Sequence, residues 1–374
     1  MTVEIIPYRP ELTPELLQLQ TNLWGADIGL NAAYFKWKYL ESPYAGEPLI
    51  HLARSEGRIV GMRGMFTTLW EAGGGGPQLL PYADDLVVDP EFRNRGVVRR
   101  LMEANFEEGA ARGFPFCLSL SAGQVTYLSS LAAGWRTVGD FQPVGNFRAL
   151  PLQVERARVF LDQHVSHRAA LLLGRAVKRP AFARLDRVAP ASPGPGSPIV
   201  LGHEARPEAM ADLVARLPWD GRIRHVRDAA YFGWRFRNPL RQYRFLFWVE
   251  TGGGLRGYLV LHHRLGESSG LQRVNLVDWE GTDDQVRAGL LDAVLRWGRI
   301  PRLETWTAGV PESARAHLRD LGFERLSPQS QGRWGHHLLV RRLGHGPMTP
   351  WGFGNRDLLN MEDWDLRMLY SMAG

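Results

Sequence analysis

Cysteine is almost absent from this chain: Cys117 stands alone among 374 residues. No intrachain disulfide can form, and a reducing cytoplasm suits such a sequence best. No run approaches the ~20 consecutive apolar residues that span a bilayer. The opening residues, Met1 to Tyr8, lack a basic segment followed by an apolar one, which argues against a secretory signal. His262-His263 and His336-His337 are adjacent pairs on strand-like runs. Each pair would point to opposite faces, poor geometry for one ion, so no metal is expected. The stretch Ala72-Gly-Gly-Gly-Gly-Pro77 lacks the Lys-Ser/Thr of a phosphate loop and reads as a hairpin connection. Cys117 lies in a strand-like run, Phe114 to Leu120, as a small buried residue rather than a nucleophile.

What is present describes an ordinary globular protein, 44% hydrophobic and 22% charged, long enough for two domains. Lys plus Arg outnumber Asp plus Glu by 45 to 39, with a pI near 9.6. Much of the excess lies between Leu152 and Arg187, and it reads as a solvated face of a basic helical extension. No nucleic-acid motif accompanies it. Four prolines and two glycines in Ala189 to Pro198 mark an exposed linker. The halves on either side repeat loosely. Tyr34-Phe-Lys-Trp-Lys-Tyr39 reappears as Tyr231-Phe-Gly-Trp-Arg-Phe236, each followed by strands, a helix, a strand, and a short helix ending in Gly134-Trp135 or Gly322-Phe323. The expected division is a first domain at 1–150, the basic extension at 151–188, the linker at 189–198, a second domain at 199–343 and a tail at 344–374.

The segment with the clearest chemistry runs from Asp84 to Met102. Leu86, Val87 and Val88 make a short apolar strand that Pro90 ends. Val98, Leu101, Met102 and Phe106 then recur at helical spacing. Between them lies Arg93-Asn94-Arg95-Gly96. A glycine there allows backbone geometry that a Cβ would hinder. The first turn of the helix, Val97 onward, presents free N–H groups and partial positive charge to an anion such as a pyrophosphate, with Arg93, Arg95 and Arg99 as cationic partners.

This run resembles motif A of the GCN5-related N-acetyltransferases (GNAT), Val-x-Pro-x-x-Arg-x-x-Gly-x-Gly/Ala, which cradles the pyrophosphate of coenzyme A. Val88, Pro90, Arg93 and Gly96 fall on the motif; Val98 replaces its last small residue, as also occurs in tandem acetyltransferases of the Eis (enhanced intracellular survival) type. The resemblance covers residues 1–150 well and 200–343 faintly. It implies a mixed α/β (α+β) fold of two tandem GNAT-like domains, each a twisted mixed β-sheet flanked by helices. It implies acetyl-CoA as donor, with Leu86, Val87 and Val88 along the pantetheine arm and Arg93 to Arg99 around the pyrophosphate. It further implies a small-molecule amine as acceptor, an amino sugar being favoured.

The attacking amine needs a route for its proton. Asp84 and Asp85 begin the strand on opposite faces by simple alternation, and Asp85 is preferred as the groove-facing member. The family's thiolate-protonating tyrosine would fall at Ser130, with Tyr127 one turn away as a substitute; the Eis-type resemblance adds the carboxylate of Gly374. In the second half Asp283 and Asp284 stand where the pyrophosphate loop should be, so that half is expected to bind no CoA. A non-catalytic acyl-CoA-binding protein and a Fem-type aminoacyltransferase using aminoacyl-tRNA are the other readings. The sequence admits a homo-oligomer.

Overall fold

The computed structural model describes residues 2–372 apart from Ala45 and the segments 148–156, 158–159, 162–168, 170–180, 195–196, 266–272, 327–336 and 345–350. Two mixed sheets built on one plan carry the chain. The first half runs β1 (Glu4–Pro7), α1 (Thr13–Gln20), α2 (Ile28–Phe35), β2 (Leu49–Ser55), β3 (Arg58–Glu71), β4 (Gln78–Val88), α3 (Val97–Ala111), β5 (Phe116–Ser119), α4 (Gln124–Ala132), β6 (Arg136–Asp140) and β7 (Pro143–Phe147). After α5 (Ala183–Val188) the plan repeats: β8 (Ile199–Gly202), α6 (Pro207–Arg216), β9 (Arg224–His225), α7 (Ala229–Arg235), β10 (Arg241–Val249), β11 (Leu255–Arg264), β12 (Arg273–Gly281), α8 (Asp284–Gly298), β13 (Arg302–Trp306), α9 (Glu312–Asp320), β14 (Glu324–Arg325) and β15 (His337–Arg342). In both sheets an antiparallel meander of four strands meets a fifth strand in parallel, β4 with β5 and β12 with β13.

Each half gives its last strand to the other. β15 lies between β5 and β6, with Leu339 opposite Ser119 and His337 opposite Asp140. β7 lies between β13 and β14, with Phe147 opposite Arg302 and Gly145 opposite Glu324. The boundaries expected at 150 and 343 therefore cut across the sheets. Leu338, Leu339 and Val340 are wholly buried. A strand buried on both faces carries no alternation that marks which sheet it completes.

The halves meet where the repeated aromatic motifs face one another. The Trp37 and Trp234 rings stack 4.7 Å apart at 9°. Each indole N–H donates to the other residue's carbonyl, at 2.8 and 2.7 Å. One apolar core continues through this seam from Leu16 and Phe66 to Phe232, Tyr258 and the tail residues Trp364, Leu369 and Met372. The basic extension expected at 151–188 lies largely outside the described residues; at its end Phe182 and Leu185 pack into the core of the second sheet.

Candidate active site

Alternation would separate Asp84 and Asp85, but a bulge brings them together. The β3–β4 register steps from Gly64↔Asp84 to Arg63↔Leu86, which leaves Asp85 as an extra residue. Its φ of +48° is the local kink. Both carboxylates now meet one ammonium: Lys38 Nζ donates to Asp84 Oδ2 at 2.6 Å and to Asp85 Oδ2 at 2.8 Å. Tyr39 OH donates to Asp85 Oδ2 at 2.7 Å, and Ser121 Oγ to Asp84 Oδ1 at 2.7 Å. Gly64 makes room for this, because a Cβ there would strike the Tyr39 hydroxyl.

Lys38 sits on a π-helical turn, Lys36–Leu40, that continues α2. It is fully buried, and the rings of Trp24, Tyr34, Tyr39 and Phe66 lie 5.3 to 5.7 Å from its ammonium. Lysine occurs at only positions 36, 38 and 178 of a chain with 45 Lys plus Arg. A compact point charge suits two converging carboxylates better than a planar guanidinium. Burial disfavours the ammonium, but Asp84 and Asp85 outweigh it and hold Lys38 charged, well above its usual range. Burial also pushes both acids up. For Asp84, Lys38 and the Ser121 hydroxyl prevail and the carboxyl falls below its ordinary value. For Asp85, burial and the neighbouring Asp84 prevail over Lys38, so Asp85 is the member that holds a proton more readily. The Asp85 side chain is wholly enclosed, whereas that of Asp84 remains 11% exposed. Of the two buried acids Asp84 retains the more exposed side chain, whereas the sequence reading prefers Asp85 as the outward-facing one.

Beyond the pair Tyr82↔Leu118 the parallel strands β4 and β5 part. Leu86 is half-buried and Val87 and Val88 are buried along this diverging edge, and Arg93 Nε donates to Val88 O at 3.2 Å. Asn94 and Gly96 both take left-handed backbone, φ +60° and +74°. No atom lies within 4 Å of where a Cβ on Gly96 would stand, so conformation rather than space calls for glycine. α3 begins there with no side-chain cap and no acid in its first turn. Arg100 N is the first to bond back, to Gly96 O, which leaves the N–H groups of Val97, Val98 and Arg99 free of helical partners. Val97 rather than Val98 is the more buried of the pair. Arg93, Asn94, Arg95 and Arg99 are exposed at this end; Arg95 lies over the Phe92 ring and Arg99 pairs with Glu103. A groove that ends in free N–H groups and arginines can seat a chain terminating in pyrophosphate.

Of the two residues proposed for proton delivery on α4, Tyr127 packs on the same apolar cluster as Leu86 and Val98 and is not hydrogen-bonded to the acidic pair. Tyr127 OH shares a hydrogen bond of 2.9 Å with Thr137 Oγ1 on β6, and its ring lies 4.9 Å from that of His337. Ser130 is buried. Gly374 lies outside the described residues, although the tail leads towards the site: Ser371 Oγ donates to Leu120 O at 3.2 Å, one residue before Ser121. Cys117 is fully buried, and burial raises its thiol to about 12. Sequence reasoning missed Lys38, Tyr39 and Ser121. The repeated aromatic motif was the available signal for the first two, since it keeps a cation at equivalent positions, Lys38 and Arg235.

The second half has the same parts in another state. At the start of α8 the Asp283 carboxylate accepts from Val286 N at 2.9 Å and pairs with Arg256, and Asp284 pairs with Arg287. Past Asn275↔Glu304, β12 and β13 part as well, but the tail enters the gap. Arg367 donates to Trp279 O at 3.1 Å and pairs with Glu280 and Asp365, and Leu366 lies where a Cβ on Gly309 would stand. A cavity of about 390 Å³ remains beside it, lined by Trp219, Arg227, Glu280, Arg287 and Arg367.

Residues 5–131 match the acetyltransferase (GNAT) domain family. Three solved structures share the fold over 92% of this chain. A probable N-acyltransferase from Enterococcus faecalis V583 is 10% identical, with 73% of its length covered and a TM-score of 0.57. A GCN5-related N-acetyltransferase from Anabaena variabilis is 12% identical, with 73% covered and a TM-score of 0.54. A tandem GNAT protein from the clavulanic acid biosynthesis pathway is 16% identical, with its whole length covered and a TM-score of 0.52. No curated protein matches the sequence. Residues 5–131 thus match the GNAT domain family, and the chain as a whole shares its fold with these structures, a tandem GNAT protein among them. No described helix is long and apolar enough to cross a membrane.

Proposed function

We propose that this chain transfers the acetyl group of acetyl-CoA directly to the primary amine of a small molecule, and that the site is in the first half alone. The observation that carries the reading is the uncapped start of α3, with Gly96 in left-handed backbone and three free N–H groups next to the end of β4, whose pairing with β5 is confined to Tyr82↔Leu118. The pantetheine arm would lie along Leu86, Val87 and Val88, with the pyrophosphate over Gly96, Val97 and Val98 and between Arg93, Asn94, Arg95 and Arg99. A backbone N–H just past the bulge would meet the thioester oxygen as negative charge develops on it.

Asp84 has the role of holding the acceptor. Its carboxylate is kept ionised by Lys38 and Ser121 and has the exposed edge, so it attracts an ammonium and orients it. The bound ammonium first releases one proton to solvent past Ser121 and Asp84, which exposes its lone pair. The C–N bond then forms, and the tetrahedral adduct loses a second N–H proton. The C–S bond breaks as the CoA thiolate takes one proton, so that one proton is released overall. Tyr127 is the phenol on α4 that would supply the thiolate's proton, after leaving Thr137.

Calorimetric titration of acetyl-CoA into the wild type and a Gly96→Glu variant tests the donor assignment. Micromolar binding lost in the variant supports it; no binding to folded wild type overturns it. CoA release in the presence of an amine separates an enzyme from a protein that only binds acyl-CoA. Asp84→Asn and Tyr127→Phe variants that turn over like wild type would remove the two assigned roles.

A further inference from the structure

Beside this site lies a buried cation that the fold does not balance. Arg241, the first residue of β10, is 7% exposed. Its guanidinium makes two long contacts, Nη1 to Leu240 O at 3.5 Å and Nη2 to Met372 O at 3.3 Å. Its Nε has no partner at all. Among the described residues no carboxylate pairs with it, whereas Lys38, Arg227, Arg244 and Arg367, all similarly buried, each hold one or more. Arg264 stands directly across the ladder from Arg241, and like charges in that relation oppose folding. Arg235 adds a third cation, bonded to the Leu369 and Ser371 carbonyls and the Tyr243 hydroxyl. Burial first, then Arg264 and Arg235, lower Arg241 to about 10.

The position of this group is informative. Met372, which Arg241 touches, follows Ser371, which is tied to the end of β5 next to the Ser121–Asp84 pair. Arg264 lies over the Trp24 ring at 5.8 Å. Trp24 packs on Tyr34 at 4.9 Å, and the Lys38 ammonium lies over both rings. The second half therefore brings Arg235, Arg241 and Arg264, none of them paired with a carboxylate among the described residues, towards the carboxylate cluster of the first. A buried cation left unopposed is costly to the folded state, and a bound anion offsets that cost. Nε with one Nη forms the fork that accepts a carboxylate or phosphate in two parallel bonds.

Building on the acyltransfer reading above, we propose that Arg241, with Arg264 beside it, binds an anionic group of the acceptor. The substrate is then a small amine that also carries a carboxylate or a phosphate: the ammonium goes to Asp84 and the anion to Arg241.

Matched pairs test this: alanine against alaninamide, and glucosamine 6-phosphate against glucosamine, with CoA release as the readout. For wild type, the charged member of one pair is expected to exceed its neutral twin in kcat/KM by about tenfold to a hundredfold. Arg241→Met should bring that ratio towards one, and Arg241→Lys should restore part of it. The pair that shows the preference identifies carboxylate or phosphate. Equal rates within both pairs, or a ratio that Arg241→Met leaves as it was, overturn the proposal. Thermal melting with acetate and with inorganic phosphate gives a readout independent of catalysis. One of these anions should raise the midpoint of wild type and not of Arg241→Met, while the variant without ligand melts no lower than wild type. If no amine releases CoA but the anion still protects through Arg241, the acyltransfer reading fails and the anion site stands. A variant that melts lower and responds to anions like wild type makes Arg241 a structural residue and refutes the site.

Discussion

The two halves begin from one plan and end with opposite grooves. In the first, the start of α3 has no carboxylate, Gly96 sets the turn, and β4 pairs with β5 only at Tyr82↔Leu118. In the second, Asp283 caps α8 from within the chain, and Arg367 of the tail takes up the carbonyl of Trp279. Parting two parallel strands always exposes backbone polar groups, which need partners. In the second half the tail and an N-terminal aspartate meet that need, whereas the first turn of α3 has no such cap. The GNAT framework alone thus does not make a site; what supplies the missing partners decides.

The largest test of this contrast concerns the cation that anchors the first half. Lys38→Met strands two buried carboxylates and should lower unfolding stability by about 3–5 kcal/mol in denaturant titrations; adding Asp85→Asn should recover part of the loss. Next is an exchange of caps. Gly96→Asp copies the second half into the first and should weaken acetyl-CoA binding by about a hundredfold or more through like-charge repulsion. The reverse change, Asp283→Gly, should create no binding, because the tail still fills that groove; calorimetric binding there would refute the plugged-groove account. At the seam between halves, burial holds His225 neutral and lowers it from 6.5 to about 3. The folded state then binds fewer protons than the unfolded one, so its contribution is full above 6.5 and is lost as pH falls towards 3. The slope should be about 1.4 kcal/mol per pH unit within that window, and His225→Phe should flatten it. The smallest effect is Asp283→Ala, which removes a helix cap worth about 1 kcal/mol and leaves donor binding as in wild type.

The strand, turn and helix from Leu86 to Met102 were legible because local chemistry specifies them. A strand, a proline, an arginine and a glycine at fixed spacing admit few other backbones, and Asp283-Asp284 announces a self-capped helix as plainly. The face of Asp84 was not legible: one bulged residue reverses alternation, and nothing in Asp-Asp-Leu-Val-Val signals it. Lys38 could be seen only as half of a repeated motif, since its partners are 46 and 47 residues away. The strand exchange was hidden for a related reason. β7 and β15 are equivalent pieces of two similar sheets, and their sequences suit either one.

That exchange has a consequence for synthesis. When β6 leaves the ribosome the first sheet still has an empty slot beside β5, and its filler lies about two hundred residues downstream. At typical elongation rates the slot stays vacant for roughly ten to forty seconds. During that interval the nascent chain displays two bare strand edges next to a hydrophobic core, the arrangement most prone to pairing with a neighbouring polysome product. The first sheet, though encoded first, is therefore completed almost last.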